Sequence, residues 1–394
     1  MKGAVLPDHA LRALARGAWT AEGMASLIAA ERGKHLLLMR AVRDHTDAAH
    51  DFEVLLSACR HDSERALRVI TYPTVGAQAM RTLGREPDPS GLHPVAASAA
   101  LSAGLPAVVR LRTLHLPGLG TVRLPYPRDS VTLRWSRGEP RLEDGSAPVG
   151  WTPVRTRDLG GWRPSLEDLD PARSDGLRAL GRLTDAEAAV WWERIGSGWD
   201  LLRHGHPDLA AEVRALVSAV VPLHGPDESA TSRMAFGAVF LSLPVSGVAA
   251  ARSLVHESHH AKLVALSDLF DFTAPVPGEL FYAPWRTDPR PVGALLQGTY
   301  AHLGMARFWR AQRHLATGRA GREEAEVEFA HWRAASMEAA LVLRASGRLT
   351  GIGTIFVEEM LGVLDAWNGE RVSAGALAIA RETAARHRTR HARR

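Results

Sequence analysis

The motif H-E-x-x-H stands at residues 256–260, in a segment whose apolar spacing predicts an α-helix. Residues four apart on a helix lie on one face, so His256 and His260 can direct both imidazoles at one divalent cation. Glu257 projects about 100° around the helix, where it could act as a base on bound water or support a ligand from behind. The motif therefore predicts a metal site on a helix, with a purely structural His pair as the alternative.

The residues before the motif predict a strand followed by a helix. Residues 236–243 form an apolar run that ends at Pro244, as a buried strand does. Ser246 then stands where the N-cap of a helix is expected. A strand followed by an H-E-x-x-H helix is the zincin arrangement, in which the strand pairs with an extended peptide by edge addition. Phe240 and Ser242 are the candidate peptide contacts on this strand.

Composition limits the class of protein. With 394 residues and 46% hydrophobic content, the chain can bury a sizeable core. The net charge is +5, and nearly all of the positive charge is Arg, which indicates a GC-rich bacterial genome rather than a nucleic-acid partner. Cys59 is the only cysteine, which excludes an internal disulfide framework and fits a reducing cytoplasm. Since no run approaches a membrane span or a secretory signal, we expect a cytoplasmic protein without a membrane partner.

The pattern along the chain predicts one integrated α+β fold over residues 1–394, predominantly helical, with a zincin-like strand and helix and a small antiparallel β subdomain. Thr184 and Glu187 have the form of a capping box, and residues 209–221 form an amphipathic run that predicts a helix. The expected regions are an N-terminal helical region at 1–103, a β-rich subdomain at 104–156, a helical region at 157–230, the metal-site region at 231–320 and C-terminal helices at 321–394.

Several stretches of the chain together match the pattern of one family. They are residues 183–184, 236–244, 254–260, 282–291, 295–301 and 349–353. In these stretches the chain resembles the HExxH-motif peptide-modification proteins of bacterial clusters that make ribosomally synthesised, post-translationally modified peptides. The resemblance spans most of the chain and is densest between residues 180 and 310. It implies a metal enzyme that acts on a ribosomally made precursor peptide, alone or with a partner maturase.

The resemblance further implies Fe(II)- and 2-oxoglutarate-dependent β-hydroxylation of a peptide side chain. In that reading His256 and His260 bind Fe(II), and the remaining positions take 2-oxoglutarate and dioxygen. The distal carboxylate of 2-oxoglutarate then needs a cation, for which Arg286 and Arg290 are the candidates. The structural alternative is that Asp288 pairs with one of these arginines and only fixes the turn.

Two other functions fit the same motif. In the first, the His pair binds Zn(II), and Glu257 removes a proton from bound water in a metallopeptidase. In the second, the protein binds a peptide without catalysis and its metal is structural. The intact Glu257 argues against the second function, because a structural His pair needs no acid at that position.

The third metal ligand is the least determined part of the site. Apolar residues occupy the short continuation after H-E-x-x-H that supplies a third His in some metalloproteases. His302 lies on the next predicted helix and could turn toward the metal, whereas a buried, hydrogen-bonded His is its structural alternative. Gln297 and Tyr300, on the same helix, could line the cavity. An iron site of the two-His, one-carboxylate type would instead need an acid, and the candidates are Glu279, Asp288, Glu358 and Glu359.

Overall fold

The computed structural model describes residues 6–84, 91–109, 113–124, 130–146, 148, 150–174 and 176–392. Over these residues the fold is α+β and mostly helical, as the sequence predicted. The helices are α1 (Asp8–Ala15), α2 (Ala21–His45), α3 (Ala49–His61), α4 (Ser63–Ile70), α5 (Pro73–Thr82), α6 (His93–Ser102), α7 (Asp185–Gly205), α8 (Pro207–Leu216), α9 (Gly247–Ser267), α10 (Val292–Leu315), α11 (Gly318–Ala345), α12 (Gly351–Asn368) and α13 (Ala374–Ala392). None of these described helices is both long and apolar enough to cross a membrane.

The strands are short and fall in two groups along the chain. They are β1 (Ala107–Val109), β2 (Thr113–Leu116), β3 (Gly120–Arg123), β4 (Val131–Ser136), β5 (Glu139–Leu142), β6 (Gly150–Pro153), β7 (Arg155–Thr156), β8 (Ser165–Leu166), β9 (Ala219–Pro222), β10 (Ser229–Thr231) and β11 (Ala238–Leu241).

The chain forms two compact units, each built from separate stretches of sequence. The sheet unit comprises Ala29–Glu193 and Val217–Leu243, and the helical unit comprises Met1–Ile28, Arg194–Leu216 and Pro244–Arg394. Two of the boundaries fall within α2 and α7. The regions expected from the sequence follow chain order, so their limits differ from those of the units.

Two antiparallel sheets of the sheet unit account for the β subdomain predicted at 104–156. Their strand orders are β1-β4-β5 and β2-β3-β6. Leu114, Val122 and Leu133 are buried beneath α6, whose Ala97 and Leu101 belong to the same core cluster. The sequence signal that predicted these strands was a series of short, β-branched-rich runs separated by Gly and Pro.

The third sheet of this unit is mixed, with the order β10-β11-β9-β8-β7. Strand β9 is parallel to both β11 and β8. The helix predicted over residues 209–221 is therefore wrong in its last part, because α8 ends at Leu216 and the chain enters β9. All four residues of β9 are buried, and a short apolar run buried on both faces has the same sequence pattern as a buried helix.

Strand β11 corresponds to the apolar run predicted before the metal helix, but it is not a sheet edge. It pairs with β10 through Ala230 and Phe240 and with β9 through Val221 and Phe240. The predicted edge addition of a peptide to this strand is therefore wrong, because both of its hydrogen-bonding sides are already used.

The helical unit places the H-E-x-x-H segment on α9, which packs against α8 and α10. Ser246 caps the helix as predicted, since its hydroxyl accepts the N–H of Ala249 at 3.1 Å. Glycine at 304 allows α10 to approach closely, because a Cβ there would lie 2.5 Å from Nδ1 of His259. The motif helix is thus buried on one side against α10.

Candidate functional site

Helices α9 and α10 bring three imidazoles together. The ring of His256 lies 4.8 Å from that of His260 and 4.9 Å from that of His302, measured between centroids. His302 stacks on Trp285 at 4.3 Å and tilts against Trp332 at 4.5 Å. The sequence had placed His302 as a candidate third ligand on the next helix, and this side chain does lie beside the motif pair.

Hydrogen bonds orient two of the three rings. Nδ1 of His302 donates to the carbonyl of Gly298 at 2.7 Å, and Nδ1 of His260 donates to Oε1 of Gln297 at 3.4 Å. Because each partner oxygen accepts, Nδ1 carries the hydrogen and Nε2 keeps its lone pair in both residues. Glycine at 298 also makes room for the ring of Trp285, from which a Cβ would be 2.4 Å away. This pattern of outer contacts is the one that orients metal-binding histidines.

The electrostatics of the cluster favour neutral imidazoles. Burial lowers the pKa of His256 well below its usual value, and the neighbouring rings of His302 and His260 lower it further. Burial also lowers the pKa of His260, and it lowers that of His302 to about 3. All three rings are therefore neutral at pH 7, which is the form that binds a metal.

Three neutral imidazole nitrogens are donors that suit a divalent transition metal. Their positions, however, are not those of a formed metal site. Within the described ranges, no group of three or more His, Cys, Asp or Glu side chains is arranged to hold a metal ion. The three histidines nevertheless supply neutral nitrogen donors, two of them with Nδ1 already bonded to oxygen.

The four acids considered as carboxylate ligands all pair with arginines. Within the helical unit these ion pairs join Glu279 to Arg348 at 2.6 Å, Asp288 to Arg286 at 2.8 Å and to Arg290 at 3.1 Å, Glu358 to Arg344 at 3.9 Å, and Glu359 to Arg12 at 2.8 Å and to Arg16 at 2.6 Å. Their charges are therefore already balanced by partners outside the imidazole cluster.

Arg286 and Arg290 both pair with Asp288, which is the structural alternative that the sequence allowed for them. Both hydrogen-bond to the same carboxylate, through Oδ1 and Oδ2 of Asp288. The Arg286 side chain is half-exposed, and Arg286 holds the pKa of Asp288 below its usual value. This bridge fixes the turn before α10, and a role for either arginine in holding 2-oxoglutarate stays a prediction.

Arg252 is a further cation near the imidazoles, and it was not among the residues predicted from the sequence. It lies one turn before His256 on α9 and is half-buried. Its charge lowers the pKa of His256, and it also acts on Glu328 of α11. Over the described part of the chain its guanidinium makes no hydrogen bond or ion pair. The signal in the sequence was its i−4 spacing from the first motif histidine, which places both side chains on one face.

His259 lies off the motif positions on α9 and makes polar contacts with its neighbours. Its Nδ1 donates to the carbonyl of Val255 at 3.0 Å, so its Nε2 accepts a hydrogen from Nζ of Lys262 at 3.3 Å. Lys262 also donates to Glu212 at 2.7 Å, and Arg307 contacts the other oxygen of that carboxylate at 2.8 Å. This buried network, which the sequence did not reveal, packs behind the motif helix.

The remaining predicted residues have different surroundings. Tyr300 is fully buried and donates its hydroxyl hydrogen to the carbonyl of Leu14, and its role in lining the cavity stays a prediction. Gln297 contacts His260, as described above. Phe240 is fully buried in β11, and the Ser242 hydroxyl accepts the N–H of Glu228 at 3.2 Å. Phe240 and Ser242 belong to the sheet unit, and their role in peptide binding stays a prediction.

Comparisons with known proteins do not place the chain in a family. No protein-family model matches it, and no curated protein matches it.

Proposed function

We propose that the chain is a metal-dependent peptide-modifying enzyme that uses Fe(II) and 2-oxoglutarate to hydroxylate a side chain of a precursor peptide. His256, His260 and His302 would hold the metal, which together with 2-oxoglutarate supplies the oxidant. Gln297 would keep the His260 ring oriented. The Trp285 and Trp332 rings would shield His302 from water.

The observation that supports this proposal best is the presence of Arg252 beside the imidazoles. A cosubstrate with a distal carboxylate needs a cation near the metal, and Arg252 lies on the same face of α9 as His256. Arg252 is half-buried and over the described residues its guanidinium forms no ion pair, while its charge also acts on the Glu328 carboxylate of α11. Its charge already acts on His256.

The burial of Glu257 also favours oxidation over hydrolysis. Its side chain is 1% exposed, while His256 and His260 are partly accessible. A base that activates bound water must reach the space in which substrate and water meet. The buried Glu257 would then support the motif helix from behind.

A zinc peptidase is the second candidate, favoured by the donor set. Three histidines bind zinc in some catalytic sites, whereas the common iron site has two histidines and one carboxylate. The four carboxylates considered for that role pair with arginines elsewhere in the helical unit. The metal and the product therefore have to be measured together.

We expect the anaerobically purified protein to retain Fe(II) and to form succinate from 2-oxoglutarate when its precursor peptide is present. The peptide should gain the mass of one oxygen atom. Metal analysis and mass spectrometry of the peptide measure both results. Two shorter peptide fragments, formed with zinc and without 2-oxoglutarate, would contradict the proposal and establish the peptidase.

We expect Arg252→Ala to raise the 2-oxoglutarate concentration needed for half-maximal succinate formation by at least about tenfold. The reason is the loss of a charge-assisted hydrogen bond, which contributes about 1.5–3 kcal/mol. Metal content should be unchanged. Arg286→Ala and Arg290→Ala are the matched comparisons, and an increase in those variants with none in Arg252→Ala would assign the cosubstrate to the turn before α10.

A further inference from the structure

The sheet unit contains a cavity of about 830 Å³. None of the three histidines of the imidazole cluster is among its lining residues. Its wall includes the end of α4, the turn between β2 and β3, and parts of β4, β6 and β8. This volume lies in the range of ligand sites, which is roughly 300–1,000 Å³.

The charged side chains that line the cavity are arginines. Arg65, Arg68 and Arg163 line it, and its described lining includes no Asp or Glu. Arg65 and Arg68 pair with Asp62 at 3.4 Å and with Glu64 at 3.0 Å, in exposed contacts along their own helix. Such surface pairs contribute little and exchange readily for another carboxylate. Arg163 is exposed and, among the residues described, its guanidinium has no hydrogen-bond or ion-pair partner.

Aromatic rings form part of the same wall. Trp135 and Trp151 meet edge to face with their centroids 5.8 Å apart, and both are only half-buried. Tyr72 lines the cavity beside Gly118, whose φ of +73° and missing Cβ allow the turn to approach the tyrosine ring. Trp, Tyr and Arg are the residues that contribute most of the binding energy at protein and peptide interfaces.

The polar floor of the cavity is held in one conformation. The Tyr72 hydroxyl donates to Oε2 of Glu167 and lies 2.9 Å from Oγ of Ser165. Oε1 of Glu167 accepts the N–H of Asp170 at 2.8 Å, and Ser165 donates to the carbonyl of Ser218 at 3.2 Å. A floor that is already ordered costs little conformational entropy when a ligand binds.

We propose that this cavity binds an acidic peptide segment, with an aromatic or aliphatic side chain against Trp135 and Trp151 and carboxylates on the surrounding arginines. Two of these arginines lie on α4 and Arg163 lies just before β8, so they suit carboxylates spaced along a chain better than one compact anion. The choice of a peptide as the ligand rests on the proposed function. The match between acidic groups of the ligand and the arginines of the cavity does not depend on that function.

Binding of labelled peptides to the full chain tests this proposal. The probe is a fluorescein-labelled hexapeptide of Glu and Phe residues, compared with the same peptide bearing Gln in place of Glu. We expect the acidic peptide to bind, the Gln peptide to bind at least about tenfold more weakly, and 0.5 M salt to weaken the acidic complex. Arg163→Glu should reduce affinity at least about tenfold. Arg134→Glu is the matched control, because Arg134 is an exposed neighbour of Trp135 outside the lining.

A double variant separates this proposal from the proposed function. His256→Ala with His260→Ala should leave binding of the acidic peptide unchanged, because both residues lie outside the cavity lining. Loss of binding in the double variant with none in Arg163→Glu would overturn the cavity proposal and place the peptide at the imidazoles. Equal binding of the acidic and Gln peptides, or displacement of the acidic peptide by ATP at equal concentration, would also overturn it.

Discussion

Replacing either His256 or His260 with Ala should remove most of the metal that the protein retains. Each variant deletes one of the three imidazoles that lie together on α9 and α10. Loss of an outer contact typically costs roughly 10–100-fold in metal affinity, and loss of a ligand itself should cost more. Elemental analysis after anaerobic reconstitution, with Co(II) absorption as a second readout, measures the effect.

A graded series makes the result specific to the cluster. Gln297→Ala removes the acceptor for Nδ1 of His260, so we expect an intermediate loss of roughly 10–100-fold in affinity. His302→Ala should resemble the motif variants if His302 is the third ligand. His204→Ala is the matched control, because this exposed histidine bonds to the carbonyl of Asp200 on its own helix and lies outside the imidazole cluster.

Two outcomes would contradict the assignment of the metal to these three histidines. Wild-type metal content in both His256→Ala and His260→Ala would place the metal elsewhere in the chain. Metal loss in those two variants with none in His302→Ala would keep the motif pair and remove His302. In that case its contacts with Trp285 and Trp332 would be packing interactions.

The sequence predicted well those features of the fold that depend on residues close together in the chain. The Ser246 cap and the capping box of Thr184 and Glu187 depend on residues three apart, and both form as predicted. Strand β9 could not be predicted, because burial on both faces depends on the parallel neighbours β8 and β11. The two units could not be predicted either, because each joins stretches that are far apart in sequence.

In the candidate site, too, local spacing predicted some features and missed those that depend on the fold. The i, i+4 spacing predicted that His256 and His260 share a face, and the same rule applied to α10 directed His302 inward. Spacing could not reveal that Asp288 pairs with both Arg286 and Arg290. An arginine chosen for its closeness in sequence can already have a partner in the fold.

Removing the buried carboxylate behind the motif helix should cause a large loss of stability. Glu212 is 1% exposed and accepts from Lys262, which is 0% exposed, and from Arg307. Glu212→Gln leaves both cations without their shared negative charge, and breaking a buried pair in this way costs about 3–5 kcal/mol. Urea unfolding followed by circular dichroism measures the change.

The cost depends on how Lys262 responds, and a second variant tests this. Burial lowers the pKa of Lys262, while Glu212 raises it, so loss of the carboxylate favours the neutral amine and limits the penalty. Glu212→Gln combined with Lys262→Met should therefore be more stable than Glu212→Gln alone.

Asp208→Ala is the matched control: its side chain is 68% exposed and contacts the same Arg307, so we expect a loss of only about 0–1 kcal/mol. If Glu212→Gln were no more destabilised than Asp208→Ala, the network would carry no net charge interaction. The motif helix would then be held in place by apolar packing alone.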